Sequence, residues 1–164
     1  MTRTVEECAR DAVEAFEGLR RDQYLNCCQS VMKALGGLTP VKKDLLARIG
    51  TGFGGGFAGM GEICGALTAG IILISAKFGV RGDEPHEVFR RKKNRCKELV
   101  REFYRWFKDE YGCLDCREIT GIDGGTEEGL ALYTDLKQAH KVPCHKIIEN
   151  SVRKLFEILT KLER

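Results

Sequence analysis

Apolar residues recur at helical spacing along almost the whole chain, and no stretch alternates for the length of a strand. Val5, Cys8, Ala9, Ala12, Val13 and Phe16 form one stripe at a period of about 3.6 residues. A short second helix carries Leu25, Cys28, Val31, Met32 and Leu35 and stops at Gly36-Gly37. Thr39-Pro40 opens a third, with a capping hydroxyl and a proline in the first turn, and brings in Val41, Leu45, Leu46 and Ile49. A glycine-rich turn follows. The fourth helix is predicted from Gly61 or Glu62 to Lys77. There Gly61, Gly65 and Ala69 are spaced to leave one face without bulk.

Asp83 is the predicted cap of a long fifth helix, with Pro85 in its first turn and its end near Tyr111-Gly112. Its inward stripe reads Phe89, Cys96, Val100, Phe103 and Phe107. Thr126 begins a sixth helix. Pro143 begins a seventh, with Ile148, Val152, Leu155, Leu159 and Leu162 inward. The pattern predicts an all-α fold: one domain over residues 1–164, a bundle of about seven helices.

Composition narrows the class. The chain has 164 residues, 43% hydrophobic, enough for a core of its own. A formal charge of +3 is too mild to imply nucleic acid. The basic run Arg90-Arg91-Lys92-Lys93-Asn94-Arg95 reads as the solvated face of the fifth helix, supported by a Glu87–Arg91 pair, or as a surface for an acidic protein partner. The longest uncharged apolar stretch, Ile63 to Ala76, is short of the ~20 residues a membrane span needs.

Eight cysteines then change the picture: Cys8, Cys27, Cys28, Cys64, Cys96, Cys113, Cys116 and Cys144. The first residues carry no apolar signal region, so a cytoplasmic protein with thiols or metal ligands is expected over a disulfide framework. Cys8, Cys28 and Cys96 sit on apolar stripes and read as core. Cys27, Cys64 and Cys144 fall at or near helix starts, where backbone N–H groups and the helix dipole are expected to lower a thiol pKa. Cys113 and Cys116 form a C-x-x-C, a redox and metal spacing, with no βαβ pattern around it to suggest a thioredoxin-like domain.

Seven glycines crowd residues 50 to 61. They match G-x-G-x-x-G by abundance, but a helix precedes them where a dinucleotide site needs a strand. Close approach of the backbone to another group is the better reading.

Cys64-Gly65-Ala66-Leu67-Thr68-Ala69-Gly70 resembles the motif of the C_GCAxxG_C_C family of redox-active proteins. Asn26-Cys27, the run Gly52-Phe53-Gly54-Gly55-Gly56, Cys116-Arg117-Glu118-Ile119 and Cys144 resemble its other conserved segments, over roughly residues 15 to 160. The resemblance implies a redox site of Cys27, Cys64, Cys116 and Cys144. Such a set either cycles between dithiol and disulfide, with no cofactor, or holds an iron–sulfur cluster or zinc, since four thiolates suit both metals. Gly56, Gly61 and Gly65 would let the backbone approach the bound group. An electron donor or acceptor protein is then the expected partner, homo-oligomerisation is left open, and neither nucleic acid nor a membrane span is expected.

Two other readings stand beside this one. Cys113, Cys116, His140 and Cys144 have zinc-like spacing and would make a non-catalytic, zinc-stabilised interaction module, although Pro143 prevents one helix from presenting both His140 and Cys144. The cysteines could also form the inert core of an interaction domain.

Overall fold

The computed structural model describes residues 3–18 and 24–161, and among them the regular structure is helical. The helices are α1 (Val5–Glu17), α2 (Cys27–Leu35), α3 (Lys43–Gly50), α4 (Gly65–Phe78), α5 (His86–Tyr111), α6 (Cys116–Thr120), α7 (Glu127–Gln138) and α8 (Cys144–Thr160). Leu162, expected on the inner face of the last helix, lies outside the described residues.

The start of α1 is fixed by a capping box. The Thr4 hydroxyl accepts from the Glu7 amide, and the Glu7 carboxylate accepts from the Thr4 amide. Asn26 and Gln29 repeat the device at α2. Asn26 also donates through Nδ2 to the carbonyls of Gly50 and Thr51, so the cap of α2 holds the end of α3 and the entry to the glycine-rich turn.

α2 and α4 pack side by side at the centre. α8 lies across α1, α2 and α4, and α5 covers the other side of α4. α4 is apolar nearly all round, as a helix buried among neighbours must be. The buried residues form one continuous core, with Phe16, Met32, Leu67, Phe103, Phe107 and Leu155 among its fully enclosed side chains.

Several boundaries differ from expectation for identifiable reasons. α3 starts at Lys43, because the Thr39 hydroxyl accepts from the Val41 amide and closes a turn at Thr39-Pro40 instead of capping a helix. Of its expected stripe, Leu46 is buried but Leu45 and Ile49 are 47% and 41% exposed, since this short helix packs mainly against α2. α5 is preceded by Pro85 as its N-cap, and Asp83 instead pairs with Arg81. Glu87 meets Arg90 in place of Arg91.

α4 begins three or four residues later than predicted. Gly61 has φ +78° and lies in the preceding turn, so it does not share a helix face with Gly65 and Ala69. The helix α6, five residues long, was not predicted, because it carries too few turns for periodicity to register. It brings the helices among the described residues to eight.

Candidate cysteine site

The turn from Gly54 to Cys64 is built on left-handed backbone. Gly55, Gly56, Phe57 and Ala58 follow one another with φ of 64°, 69°, 58° and 55°. Phe57 and Ala58 have side chains, so this conformation costs them energy that glycine does not incur. Long-reach backbone bonds repay it: Ala58 N–H to Gly52 O, Gly59 to Gly54, Gly61 to Gly55 and Glu62 to Gly56. A Cβ on Gly56 would stand 2.4 Å from the Glu62 carbonyl oxygen, so this glycine is required by the fold of the turn itself.

The turn delivers residues 61–64 alongside residues 114–117. Ile63 and Asp115 form an isolated antiparallel bridge. The Cys64 amide donates to Leu114 O at 2.8 Å, the Cys116 amide to Glu62 O at 2.7 Å and the Arg117 amide to Gly61 O at 2.9 Å. Arg117 also donates to Met60 O at 2.8 Å. A Cβ on Gly61 would strike the Arg117 side chain at 2.8 Å. These bonds fix Cys64 beside Cys116, although half a hundred residues separate them.

Cys27, Cys116 and Cys144 are each the first residue of a helix, α2, α6 and α8, and Cys64 is the N-cap of α4. Their side chains line one cavity of about 10 Å³, together with Ala66, Ile119, Thr120, Ile147 and Ile148. Cys27, Cys64 and Cys144 are buried and Cys116 is half-buried; all are free thiols.

Backbone amides of Gly55, Cys28 and Gly65 are directed at the Cys27 sulfur. Those of Ala66 and Leu67 are directed at Cys64, while the Thr120 hydroxyl donates to the Cys116 carbonyl at 2.7 Å. Gly65 brings the backbone directly against a sulfur. A Cβ there would lie 2.5 Å from Cys27 Sγ, 2.8 Å from Phe53 O and 3.3 Å from the Cys28 amide nitrogen.

Burial is the dominant electrostatic fact. It pushes the pKa of Cys27, Cys64 and Cys144 above the ordinary 9.0 and, with charge on neighbouring cysteines adding in the same direction at Cys64, Cys116 and Cys144, brings that of Cys116 up to about 11. The expected lowering at helix starts is therefore overturned. The amides do favour thiolate, but desolvation of a single buried charge outweighs them.

Two residues of α7 feel the charge of the site's thiols, without any signal for it in the sequence. The Tyr133 phenol is held protonated by burial, with Cys144, Cys27 and Cys116 adding in the same direction. Lys137 is lowered by burial and raised in part by Cys144 and Cys27, and its Nζ stands 3.7 Å from the Tyr24 ring centre. A tyrosine and a lysine on a helix look like any surface pair until the fold brings them within electrostatic reach of the thiols.

The remaining cysteines separate cleanly. Cys8 and Cys28 are buried core residues. Cys96 is half-buried with Sγ 3.9 Å from Ser75 Oγ, and Cys113 points its thiol at Tyr111 O, away from the cavity.

The zinc set Cys113, Cys116, His140 and Cys144 is not brought together. Among the described residues, the group of three or more His, Cys, Asp or Glu with ligand atoms all within 4.8 Å of one another is Glu17, His140 and His145. The positive φ of His140, 54°, turns the chain ahead of Pro143 and sends this imidazole to Glu17. Gly56 and Gly61 shape the turn, and of the three glycines singled out only Gly65 touches a cysteine sulfur.

Fold and site together define an all-α protein in which four cysteines at helix N-termini line one small cavity. The model of the family described as "Putative redox-active protein (C_GCAxxG_C_C)" matches residues 25–158, and the chain belongs to that family. A redox-related role follows from the membership. Neither a curated protein nor a solved structure matches. No helix among the described residues is long and apolar enough to cross a membrane.

Proposed function

We propose that Cys27, Cys64, Cys116 and Cys144 ligate an iron–sulfur centre through which this protein exchanges electrons with a protein partner. The observation that carries this reading is the set of backbone amides facing the buried thiols Cys27 and Cys64. Thiol–disulfide exchange needs an accessible thiolate of moderate pKa. Buried thiols with raised pKa are poor nucleophiles. A bound cation reverses the balance, because it deprotonates its thiol ligands outright. N–H groups aimed at Cys27 and Cys64 then stabilise the thiolates and tune the potential of the centre.

Sulfur spacing supports iron–sulfur over a single zinc. A tetrahedral Zn–S₄ site with bonds of ~2.3 Å has sulfurs about 3.8 Å apart. No three of these four sulfurs lie within 4.8 Å of one another. A cluster, whose ligands bind different irons, takes the wider spacing. Zinc held by the same cysteines is the second reading: a cavity of about 10 Å³ favours a single ion, around which the sulfurs would draw together. Eight free thiols suit a reducing compartment such as the cytoplasm.

Protein purified without oxygen is expected to be coloured, with sulfur-to-iron charge-transfer absorption, stoichiometric iron and acid-labile sulfide, and reversible bleaching by reductant. Cys64→Ser is expected to lose the iron. A colourless protein with one zinc, or a metal-free protein that cycles between thiols and disulfides, would overturn the assignment.

A further inference from the structure

We propose a second metal site, independent of the cysteines, in which Glu17, His140 and His145 bind a divalent transition ion of the zinc type. The three ligands come from separate places: the last residue of α1, the turn between α7 and α8, and the first turn of α8. Their ligand atoms all lie within 4.8 Å of one another. Glu17 Oε1 is 3.2 Å from His140 Nδ1 and 3.5 Å from His145 Nε2. A tetrahedron with metal–ligand bonds of ~2.0–2.1 Å has edges of about 3.3–3.4 Å, which these separations bracket.

The tautomer of His145 is the second observation. Its Nδ1 faces the Val142 carbonyl at 3.0 Å, and a carbonyl only accepts, so Nδ1 carries the proton. Nε2 of the neutral ring is then a lone pair. It is buried, makes no hydrogen bond and faces a carboxylate oxygen. A lone pair held against an anion is repulsive until a cation stands between them. Fixing the second ring nitrogen on a backbone carbonyl is also how metal-bound histidines are oriented. The edge of Phe16 packs on the ring at 5.1 Å between centroids and holds its plane. His140 is 67% exposed, so solvent can complete the coordination.

Two imidazoles and one carboxylate suit zinc, nickel, copper or ferrous iron rather than calcium or magnesium. An ion here would clamp the end of α1 to the start of α8, one residue from Cys144. The competing occupant is a proton, which would make a plain imidazolium–carboxylate cluster.

Cobalt(II) is the probe, because thiolate ligation gives intense charge-transfer bands whereas nitrogen and oxygen ligation gives only weak visible bands. Titration of the full chain, with the cysteine site left as purified, is expected to add one cobalt with the weak bands alone, displaced by zinc. The same signal is expected in Cys64→Ser, which separates this site from the cysteine assignment. Glu17→Gln and His140→Asn are expected to weaken binding on the order of 100-fold or more, beyond the 10–100-fold typical of outer partners. Asparagine is chosen because it tolerates the positive φ of position 140. No uptake, uptake with thiolate bands only, or uptake unchanged in both variants of unaltered melting temperature would overturn the proposal.

Discussion

Replacing Gly65 by alanine tests the closeness of the backbone to the thiols with a single methyl group. Judged by helix propensity alone, the change stabilises by at most ~1 kcal/mol, and by less at the first position of a helix. The structure reverses the sign. The new methyl would overlap Cys27 Sγ at 2.5 Å and Phe53 O at 2.8 Å. The oxygen belongs to the backbone, so the sulfur must move, and it loses its place against the Gly65 amide. Overpacking of this kind costs ~1–3 kcal/mol. The net loss is about 1–2 kcal/mol, or ~2–8 °C in melting temperature for a domain of this size. Thermal melting by circular dichroism, beside metal and thiol titration, is the assay. Leucine at the same position is expected to keep the helical spectrum while losing metal content. An alanine variant with unchanged or higher melting temperature and full metal content would refute the packing argument.

Cys8→Ala and Cys96→Ala are expected to keep metal content and redox behaviour, with a stability cost of ~1 kcal/mol at buried Cys8 and less at half-buried Cys96; loss of metal in either folded variant would show that core and site were sorted wrongly. In the metal-free protein, iodoacetamide should modify Cys116 about 100-fold more slowly near pH 8 than an ordinary thiol, and the rate should climb until about pH 11, since its pKa rises from 9.0 to about 11; a plateau near pH 9 would contradict the burial argument. The same shift sets the sign for stability. The folded pKa lies above the unfolded one, so the contribution is complete below pH 9 and is lost as pH rises through 11. Metal affinity should run the opposite way and increase with pH, because binding displaces thiol protons.

Helices with long stripes were legible in the sequence because periodicity needs several turns to declare itself. α1, α5 and α8 offer those turns, and α6 does not. The four cysteines were legible through a family pattern and through their places at helix starts. What could not be read was the balance of forces on them. A helix start is a local feature visible in the order of residues, whereas desolvation depends on Ile119, Ile147 and Ile148 arriving from other parts of the chain. Tyr133 and Lys137 were missed for the same reason. Gly61 was misplaced because a glycine in a left-handed turn and one on a helix face look identical until the backbone is known.

The distribution of the four cysteines along the chain governs how the molecule can be assembled and cut. Cys27 belongs to the second helix and Cys144 to the eighth, so no fragment short of nearly the whole domain contains the set. The Ile63–Asp115 bridge makes even the middle pair depend on a long-range closure. Any ion joined to all four sulfurs would cross-link the chain across roughly a hundred residues. A covalent link of that reach removes ~4–5 kcal/mol of freedom from the unfolded chain. The centre would therefore be acquired late, by a chain already folded, and its loss would loosen the ends of the polypeptide together.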